Sequence, residues 1–520
     1  MGDPYYITTA ISYPNGKPHI GHAYEAVAGD AIARFQRQMG RDVRFVTGTD
    51  EHGLKMVQTA RTQGRDVQGL CDEMSSYFKK MCDQLNISYD RFVRTTEPTH
   101  HLASVAIWEA MKASGDLYLD RYEGWYSIRD EAFYEDKEIT AGEDGQKLSP
   151  QGTPVEWTVE ESWFFKLSKY AEPLLQHYQN APDFIRPDTR RNEVIRFVES
   201  GLRDLSVSRT SFDWGVKVPG SPDHVMYVWV DALTAYMSAL GYPDQQGDFG
   251  RYWPADLHLI GKDIVRFHTV YWPAFLMSAG LPLPGQVFGH GFLLARGGEK
   301  MSKSAGNVVD PLALADRYGV DPLRYFFLRE ISFGQDGTWS EEAIVTRCNA
   351  ELANSFGNLA QRSLSMIFKN LDGELTPFSM SEPDDQLLAI VREATVSELP
   401  KAFAALDFSN GIEAWLRAVF ACNQYVDEQA PWALRKSDPD RMRVVLLTLF
   451  MAVRDLAIAI RPVVPASADA LLDQLGVPAA ERDYAALADP DWYQRLVAGG
   501  FRVSQPVGVF PRLELAEEPA

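Results

Sequence analysis

Two histidines three positions apart stand at the start of a predicted helix. Residues 19–22 read His-Ile-Gly-His. A helix start offers free backbone N–H groups and the positive end of the helix dipole, and imidazoles can donate hydrogen bonds to phosphate oxygens. Gly21 would let a nucleotide approach the backbone closely. The motif therefore predicts a triphosphate site, and the alternative is that His19 and His22 only face solvent or cap the helix.

A second motif carries two cations on a glycine-rich segment. Residues 300–304 read Lys-Met-Ser-Lys-Ser, with Gly297 and Gly298 before them and Gly306 after them. Flanking glycines make a mobile loop, so both lysines could move onto a triphosphate and neutralise the charge of departing pyrophosphate. The alternative is an ordinary solvated loop.

Alternating strands and helices must position the first motif. A β-prone run over residues 5–11 leads into a turn, apolar residues keep a helical spacing over residues 20–40, and residues 42–47 are again strand-like. This order predicts a parallel sheet with right-handed crossovers, whose ligands lie at the carboxyl ends of the strands. The sequence therefore predicts a Rossmann-like α/β domain.

The α/β pattern is interrupted and then resumes. Short strand-like runs rich in Gly, Trp and Tyr predict a mixed or β insertion, strands over 225–230, 257–260 and 286–289 resume the sheet, and long helical periods after residue 345 predict an all-α bundle. The predicted segments are 1–115, first half of the α/β domain; 116–215, insertion; 216–290, second half; 291–345, the lysine-motif region; and 346–520, the helical domain.

Composition narrows the class of protein. The 520 residues are 45% hydrophobic and 23% charged, which fits several soluble globular domains. Neither a signal-like N-terminus nor about 18 consecutive apolar residues is present, so no membrane partner is expected. Cys71, Cys82, Cys348 and Cys422 form no C-x-x-C pair, which fits a reducing cytoplasm. A net charge of −20 means that a nucleic-acid partner requires basic residues concentrated on one face.

Together the motifs resemble the HIGH and KMSKS signatures of class I aminoacyl-tRNA synthetases. Residues 10–16, 49–53, 227–232 and 261–268 are similar to blocks of the methionyl-tRNA synthetase family, and residues 357–362 and 430–432 are similar to its anticodon-binding helices. The resemblance implies an enzyme that activates L-methionine with ATP and Mg²⁺ and transfers it to the 3′ end of initiator and elongator tRNA(Met).

The resemblance also implies residue roles. Asp50 would hold the methionine ammonium by a charge-assisted bond, and an apolar, aromatic pocket would suit the polarisable thioether. The implied methionine pocket is Ile11, Tyr13, Asp50, Trp229, Ala232, Tyr236, Ile264 and His268. For Trp229 and Tyr236 the alternative is ordinary core, because i and i+7 share a helix face. The implied ATP site is Asn15, Gly16, His19, Gly21, His22, Lys300, Met301, Ser302, Lys303 and Ser304.

Other roles come from the same resemblance. The implied catalytic residues are His19, His22, Lys300, Lys303 and Arg209, and the arginine would stabilise the activated carboxyl or phosphate. The implied anticodon-binding residues are Asn358, Arg362, Pro431 and Trp432. A surface salt bridge is the alternative for Arg209, and helix-end packing is the alternative for Trp432.

The sequence departs from many family members in the insertion. Residues 116–215 contain no cysteine where members often carry zinc knuckles, so no structural zinc is expected and no metal-ligating residue is predicted. Residues 126–133 should instead be held by packing and hydrogen bonds. No further module is predicted after the bundle, which favours a monomer.

Three alternatives stay open. A synthetase for leucine, isoleucine or valine shares both motifs but has a longer insertion, and a cysteine enzyme would carry zinc ligands. Small nucleotidyltransferases lack the bundle. A catalytically inactive tRNA-binding relative would keep the same pattern without turnover.

Overall fold

A six-stranded parallel sheet forms the centre of the computed structural model, which describes residues 2–130, 132–142, 145–294, 298, 308–489 and 491–515. The motif at residues 300–304 lies outside the described residues. The sheet has the order β3-β2-β1-β14-β15-β9. Its strands are β1 (Pro4–Ser12), β2 (Asp42–Thr49), β3 (Arg91–Arg94), β9 (Ile185–Arg186), β14 (Leu257–Gly261) and β15 (Gln286–His290).

The parallel sheet confirms the predicted fold, and its strand order indicates where a ligand would bind. β2 and β3 lie on one side of β1, whereas β14 and β15 lie on the other. At such a switch point the connections leave β1 and β14 in opposite directions, and a crevice opens at their carboxyl ends.

Alternate side chains of the strands pack on two helical layers. Ile7, Phe45 and Leu259 face α1, whereas Tyr6, Val46 and Ile260 belong to a second core with α4, α7 and α9, as the two-residue period of a strand requires. The helices of this half are α1 (Ile20–Gln38), α2 (Leu54–Thr62), α3 (Val67–Gln84), α4 (Pro98–Ala113), α5 (Ala171–Asn180), α6 (Asp188–Glu199), α7 (Val228–Ser238), α8 (Asp248–Tyr252) and α9 (Trp272–Ser278).

Two details differ from the sequence prediction. The strand expected over residues 225–230 is wrong in its second half: β13 (Ser221–Met226) ends early, pairs antiparallel outside the main sheet, and is followed by α7 from Val228. In addition, β9 lies within the predicted insertion yet pairs with β15 at the edge of the main sheet.

The insertion is built on an antiparallel sheet of order β10-β8-β4-β5. The strands of this lobe and its surroundings are β4 (Leu117–Ser127), β5 (Ala132–Tyr134), β6 (Thr140–Ala141), β7 (Lys147–Leu148), β8 (Glu156–Phe165), β10 (Leu205–Ser206), β11 (Ser208–Arg209) and β12 (Lys217–Val218). Further along the chain, β16 (Leu293–Leu294) pairs with β17 (Gly337–Thr338).

The C-terminal part is helical, as predicted. Its helices are α10 (Pro311–Tyr318), α11 (Val320–Glu330), α12 (Glu341–Cys348), α13 (Asn358–Asn370), α14 (Glu382–Arg392), α15 (Leu399–Ala404), α16 (Phe408–Gln429), α17 (Pro431–Ser437), α18 (Pro439–Ile460), α19 (Pro465–Gln474), α20 (Tyr484–Leu487) and α21 (Trp492–Ala498). Across the described ranges, no helix combines the length and apolarity needed to span a bilayer.

The bundle packs directly on α1. One hydrophobic cluster runs from the sheet through α1 into α18. At its centre the fully buried Arg324 of α11 donates to Asp30 of α1 (2.6 Å) and to the carbonyls of Pro462 (3.1 Å) and Val463 (3.0 Å) that follow α18. Through Arg324, the helix that starts at the first motif is therefore linked to the C-terminal end of α18.

Candidate active site

A cavity of about 340 Å³ opens at the carboxyl ends of β1 and β14. It contains every predicted methionine-pocket residue, together with His22. Its lining residues are Ala10, Ile11, Ser12, Tyr13, His22, Glu25, Asp50, Lys55, Arg129, Asp130, Val228, Trp229, Ala232, Leu233, Tyr236, Gly261, Asp263, Ile264 and His268. The switch-point prediction therefore agrees with the position of the cavity.

A buried tyrosine–histidine pair forms one wall. His268 Nδ1 lies 3.0 Å from the carbonyl of Ile264, so Nδ1 carries the proton and Nε2 accepts the hydroxyl of Tyr236 at 2.6 Å. Tyr236 and His268 are 2% and 1% exposed. Burial lowers the pKa of His268 to about 4. The wall is therefore polar in composition but neutral at physiological pH.

Aromatic rings complete this side of the cavity. Trp229 stacks on Phe267 with ring centroids 3.8 Å apart and planes 7° apart, and its edge faces His268. Behind Tyr236, the ring of the fully buried His258 lies 4.4 Å away. Such a surface suits a polarisable, unbranched side chain. Trp229 and Tyr236 thus line a cavity as well as packing in the core.

Asp50 stands directly after β2 in a loop that is held on several sides. Its backbone N–H donates to the carbonyl of Ser12 at the end of β1 (2.9 Å), and the side chain of the next residue, Glu51, accepts two bonds from Arg94 (2.7 and 2.9 Å). Asp50 is 8% exposed. A carboxylate fixed in a cavity wall can bind an ammonium group by a charge-assisted hydrogen bond.

The two motif histidines cap α1 reciprocally. His19 is the N-cap residue, and its Nδ1 accepts the N–H of Gly21 (3.1 Å), while His22 Nδ1 accepts the N–H of His19 (3.1 Å). The rings lie 3.8 Å apart. Because each Nδ1 accepts, the proton of each neutral ring is on Nε2, which is a donor. The capping alternative is therefore correct as a structural role, and it fixes the tautomer that a phosphate site needs.

The backbone N–H groups at the start of α1 are not free, so the prediction that they bind phosphate is wrong. The N–H groups expected to be free at the start of α1 are bonded inside the protein: that of Ile20 to Val309 O (3.0 Å), that of Gly21 to His19 Nδ1, and that of His22 to His19 O (2.9 Å). A phosphate at this helix start would therefore have to accept its hydrogen bonds from the imidazole rings.

Glu25, one turn after His22, was not predicted and reaches the same cavity. It accepts the N–H of Ala10 (3.1 Å) and bonds His290 Nε2 (2.8 Å), and His290 Nδ1 lies 2.8 Å from the carbonyl of Gly291. Burial alone would lower the pKa of His290, but the bond to Glu25 raises it above its usual value. This ion pair fastens α1 to the ends of β1 and β15, and the i, i+3 spacing from His22 could have revealed Glu25.

Other predicted site residues lie elsewhere or cannot be placed. Arg209 is buried, bonds Ser206 Oγ (2.8 Å) and the carbonyl of Ser208 (2.7 Å), and is not among the cavity's lining residues. Asn15, Gly16, His19 and Gly21 border the helix start without lining the cavity. Lys300, Met301, Ser302, Lys303 and Ser304 lie outside the described residues.

Several hydroxyl groups of the insertion donate hydrogen bonds to the side chain of Asp130. Its Oδ2 accepts hydrogen bonds from Tyr134 (3.0 Å), Ser149 (2.7 Å) and Thr153, and its N–H donates to Ser127 Oγ (3.2 Å). Ser127, Ser149 and Thr153 are almost fully buried. Hydrogen bonds therefore connect this segment, as the sequence predicted, and they hold Arg129 and Asp130 at the cavity, where no sequence signal had placed them.

A second candidate site lies on the bundle. The guanidinium of Arg362 stands 5.5 Å from the ring centroid of Trp432, which is 50% exposed, and Asn358 lies one helical turn before Arg362 on α13. Pro431 begins α17 after Ala430, whose φ of 45° is rare for a residue with a side chain. An exposed ring beside a guanidinium and an amide can stack on and hydrogen-bond an unpaired base.

Comparison with known families defines the class. The model "tRNA synthetases class I (M)" matches residues 5–364, which places the split α/β part among the class I aminoacyl-tRNA synthetases. The model "Anticodon binding domain of methionyl tRNA ligase" matches residues 378–517.

Relatives that align over nearly the whole chain narrow this class to one family. Methionine–tRNA ligase of Brucella suis is 55% identical over 522 residues, and that of Mycobacterium bovis is 54% identical over 523 residues, with 99% of each chain covered in both cases. The structure of Mycobacterium tuberculosis methionyl-tRNA synthetase bound by methionyl-adenylate has a TM-score of 0.93 at 53% identity and covers 98% of this chain and 100% of that one. The chain belongs to the methionyl-tRNA synthetase family.

Proposed function

We propose that the cavity between β1 and β14 binds methionine and ATP together, forms methionyl-adenylate, and presents it to the 3′ end of tRNA(Met). The observation that carries the proposal is the composition of the cavity. A neutral aromatic wall of Trp229, Tyr236 and His268 and a fixed carboxylate at Asp50 line the same space, beside the phosphate-directed His22. These are the features that an amino acid with an apolar, sulfur-containing side chain requires.

Selection of methionine follows from the neutral wall. A thioether is a weak acceptor and has no donor, so it places no demand on Tyr236 or His268, which already satisfy one another. Ile11, Ala232 and Ile264 supply apolar contact. A shorter side chain loses about 1 to 3 kcal/mol for each missing methylene, whereas a charged one would be desolvated without a partner.

Adenylate formation needs little beyond positioning. The methionine carboxylate attacks the α-phosphorus of ATP, forming a C–O–P bond as the bond to pyrophosphate breaks. The Nε2–H groups of His19 and His22 donate to phosphate oxygens, and Lys300 and Lys303 neutralise the departing pyrophosphate. For Arg209 the same role on the activated carboxyl or phosphate is supported by the family resemblance alone, since its side chain does not line the cavity. ATP enters as its Mg²⁺ complex, since Mg²⁺ is usually held by substrate phosphates and one or two carboxylates, and Glu25 and Asp263 are candidates in the cavity.

Transfer requires that tRNA span both sites. The terminal adenosine of the tRNA attacks the adenylate carbonyl and releases AMP. Arg362 and Trp432 contact the anticodon from the bundle, with Asn358 and Pro431 beside them, and initiator and elongator tRNA(Met) are both substrates because they share one anticodon. A cytoplasmic monomer is the proposed working state.

ATP–pyrophosphate exchange with each of the twenty amino acids tests the proposal. Wild type and Lys303→Ala are compared, with Lys401→Ala, an exposed lysine of α15, as matched control. Exchange is expected with methionine alone, unchanged in Lys401→Ala and strongly reduced in Lys303→Ala. Exchange with leucine or valine would indicate a sister synthetase, and no exchange with any amino acid would indicate an inactive tRNA-binding relative.

A further inference from the structure

A buried histidine–aspartate pair joins the Asp50 loop to the helix that carries the aromatic wall. His52 Nδ1 donates to Asp231 Oδ2 at 2.6 Å, and the two side chains are 4% and 0% exposed. His52 follows Asp50 by two residues, whereas Asp231 stands in α7 between Trp229 and Ala232. The two halves of the methionine pocket are thus connected by one short hydrogen bond behind the cavity.

Asp231 is also held from the opposite side. His100 of α4 bonds its other oxygen, with Nε2 at 2.5 Å from Oδ1, and His100 Nδ1 lies 2.9 Å from Ser238 Oγ near the end of α7. Burial alone would raise the pKa of Asp231, but His52 and His100 lower it below its usual value. An ionised, water-excluded carboxylate between two imidazoles is a strong and directional link.

The link completes a frame around the Asp50 loop. The N–H of Asp50 bonds the end of β1, and the carbonyl of Glu51 accepts the indole N–H of Trp214 (2.7 Å). The ring of Trp214 also contacts His52 edge-on, with centroids 5.5 Å apart. The His52–Asp231 bond adds α7 to this frame.

We infer that His52 and Asp231 are positioning residues for methionine, which set the distance between the Asp50 carboxylate and the wall formed by Trp229 and Ala232. A single methionine then meets its ammonium partner and its side-chain pocket at once. The inference rests on the proposed role of Asp50. A misplacement of about 1 Å in such a pair can cost about 100-fold in rate or affinity.

The effect should fall on methionine rather than on ATP. The histidines of the first motif cap α1 through bonds at its own N-terminus, and Glu25 ties that helix to β1 and β15 through bonds that do not involve α7. Loss of the His52–Asp231 bond therefore leaves this part of the site in place. The KM for methionine should therefore rise, whereas the KM for ATP should stay close to its wild-type value.

Steady-state exchange kinetics with four variants test the inference. His52→Leu removes the donor, and His52→Asn retains an N–H close to the position of Nδ1. The double variant His52→Leu/Asp231→Leu removes the link without leaving a charge unpaired, and His177→Leu of α5 is the control for loss of a half-buried histidine. His52→Leu and the double variant are expected to raise the methionine KM by about tenfold or more, with little change for ATP. His52→Asn and His177→Leu should stay near wild type.

Two results would overturn the inference that His52 and Asp231 position the methionine pocket. A double variant that melts close to wild type and keeps the wild-type methionine KM would show that the link does not position the pocket. An equal rise of both KM values would show a general structural role. The variant Asp50→Asn distinguishes failure of the positioning inference from failure of the proposed function. An unchanged methionine KM in Asp50→Asn refutes the role of Asp50. A raised methionine KM in Asp50→Asn, together with an unchanged methionine KM in His52→Leu, refutes the positioning inference alone.

Discussion

Removing the hydroxyl of Tyr236 tests whether the neutral wall selects methionine. In Tyr236→Phe, His268 Nε2 loses its donor, while Nδ1 is still committed to the Ile264 carbonyl. Water can bond Nε2 in the empty cavity, but a bound thioether offers no donor. Methionine binding must then leave a buried acceptor unpaired, at a cost of about 1 to 3 kcal/mol. We expect the methionine KM in exchange to rise by about 5- to 150-fold, since 1.4 kcal/mol is a factor of ten, with the ATP KM unchanged.

Tyr178→Phe is the matched control. Tyr178 is as buried as Tyr236, and its hydroxyl donates to the carbonyl of Thr269 (2.5 Å). Thr269 follows His268 in the sequence, but neither Tyr178 nor Thr269 lines the cavity. Both variants lose a buried hydroxyl and should melt at lower temperature, but only Tyr236→Phe should weaken methionine use. In Tyr236→Phe, the KM of an analogue of methionine's length with a terminal hydroxyl should rise less than the KM of methionine, because the hydroxyl can donate to His268 Nε2. The reasoning fails if Tyr236→Phe is less stable and yet keeps a wild-type methionine KM.

Three further predictions follow from buried or exposed groups described above. Arg324→Met leaves buried Asp30 without its main partner and should destabilise the fold by about 3 to 5 kcal/mol, seen as a lower thermal midpoint; an unchanged midpoint would contradict this. His268 has an unfolded pKa of 6.5 and a folded pKa of about 4, so the unfolded state takes up the proton first as the pH falls below 6.5. Its contribution to stability should drop by about 2 kcal/mol between pH 7 and pH 5, and His268→Asn should show a correspondingly smaller pH dependence of the thermal midpoint. Trp432→Ala should raise the KM for tRNA(Met) in aminoacylation, by the loss of about 1 to 3 kcal/mol of stacking, while methionine-dependent exchange continues as in wild type.

Sequence reasoning succeeded where local pattern and site coincide. The strand, turn and helix around residues 5–40 are set by period and turn residues, so the position of His19 and His22 at the switch point could be predicted. It failed over residues 227–230, because a run of Val, Tyr and Trp has high β propensity, whereas tertiary packing makes this run the N-cap and first turn of α7.

The remaining features depend on contacts between distant parts of the chain. His52 and Asp231 are 179 positions apart, and His100 and Asp231 are 131 apart, so no local pattern connects them. Arg129 and Asp130 reach the cavity only because of the way the insertion folds back on the sheet. The two-residue strand β9 is too short to give a periodic signal.

The reciprocal capping of His19 and His22 changes how a mutation in this motif must be interpreted. His19 Nδ1 accepts the N–H of Gly21 in the first turn of α1, and His22 Nδ1 accepts the N–H of the N-cap residue His19. The donor of each neutral ring is therefore Nε2, so on the proposed function the cap and the bond to phosphate are made by different nitrogens of the same ring. An alanine at either position frays a helix and removes a donor at once, and the kinetic loss cannot be assigned to either. Asparagine can cap but presents no second nitrogen, so it isolates the loss of the donor. On the proposed function the motif is thus a single folding and binding unit, in which losing the cap made by one histidine also disturbs the geometry of the other.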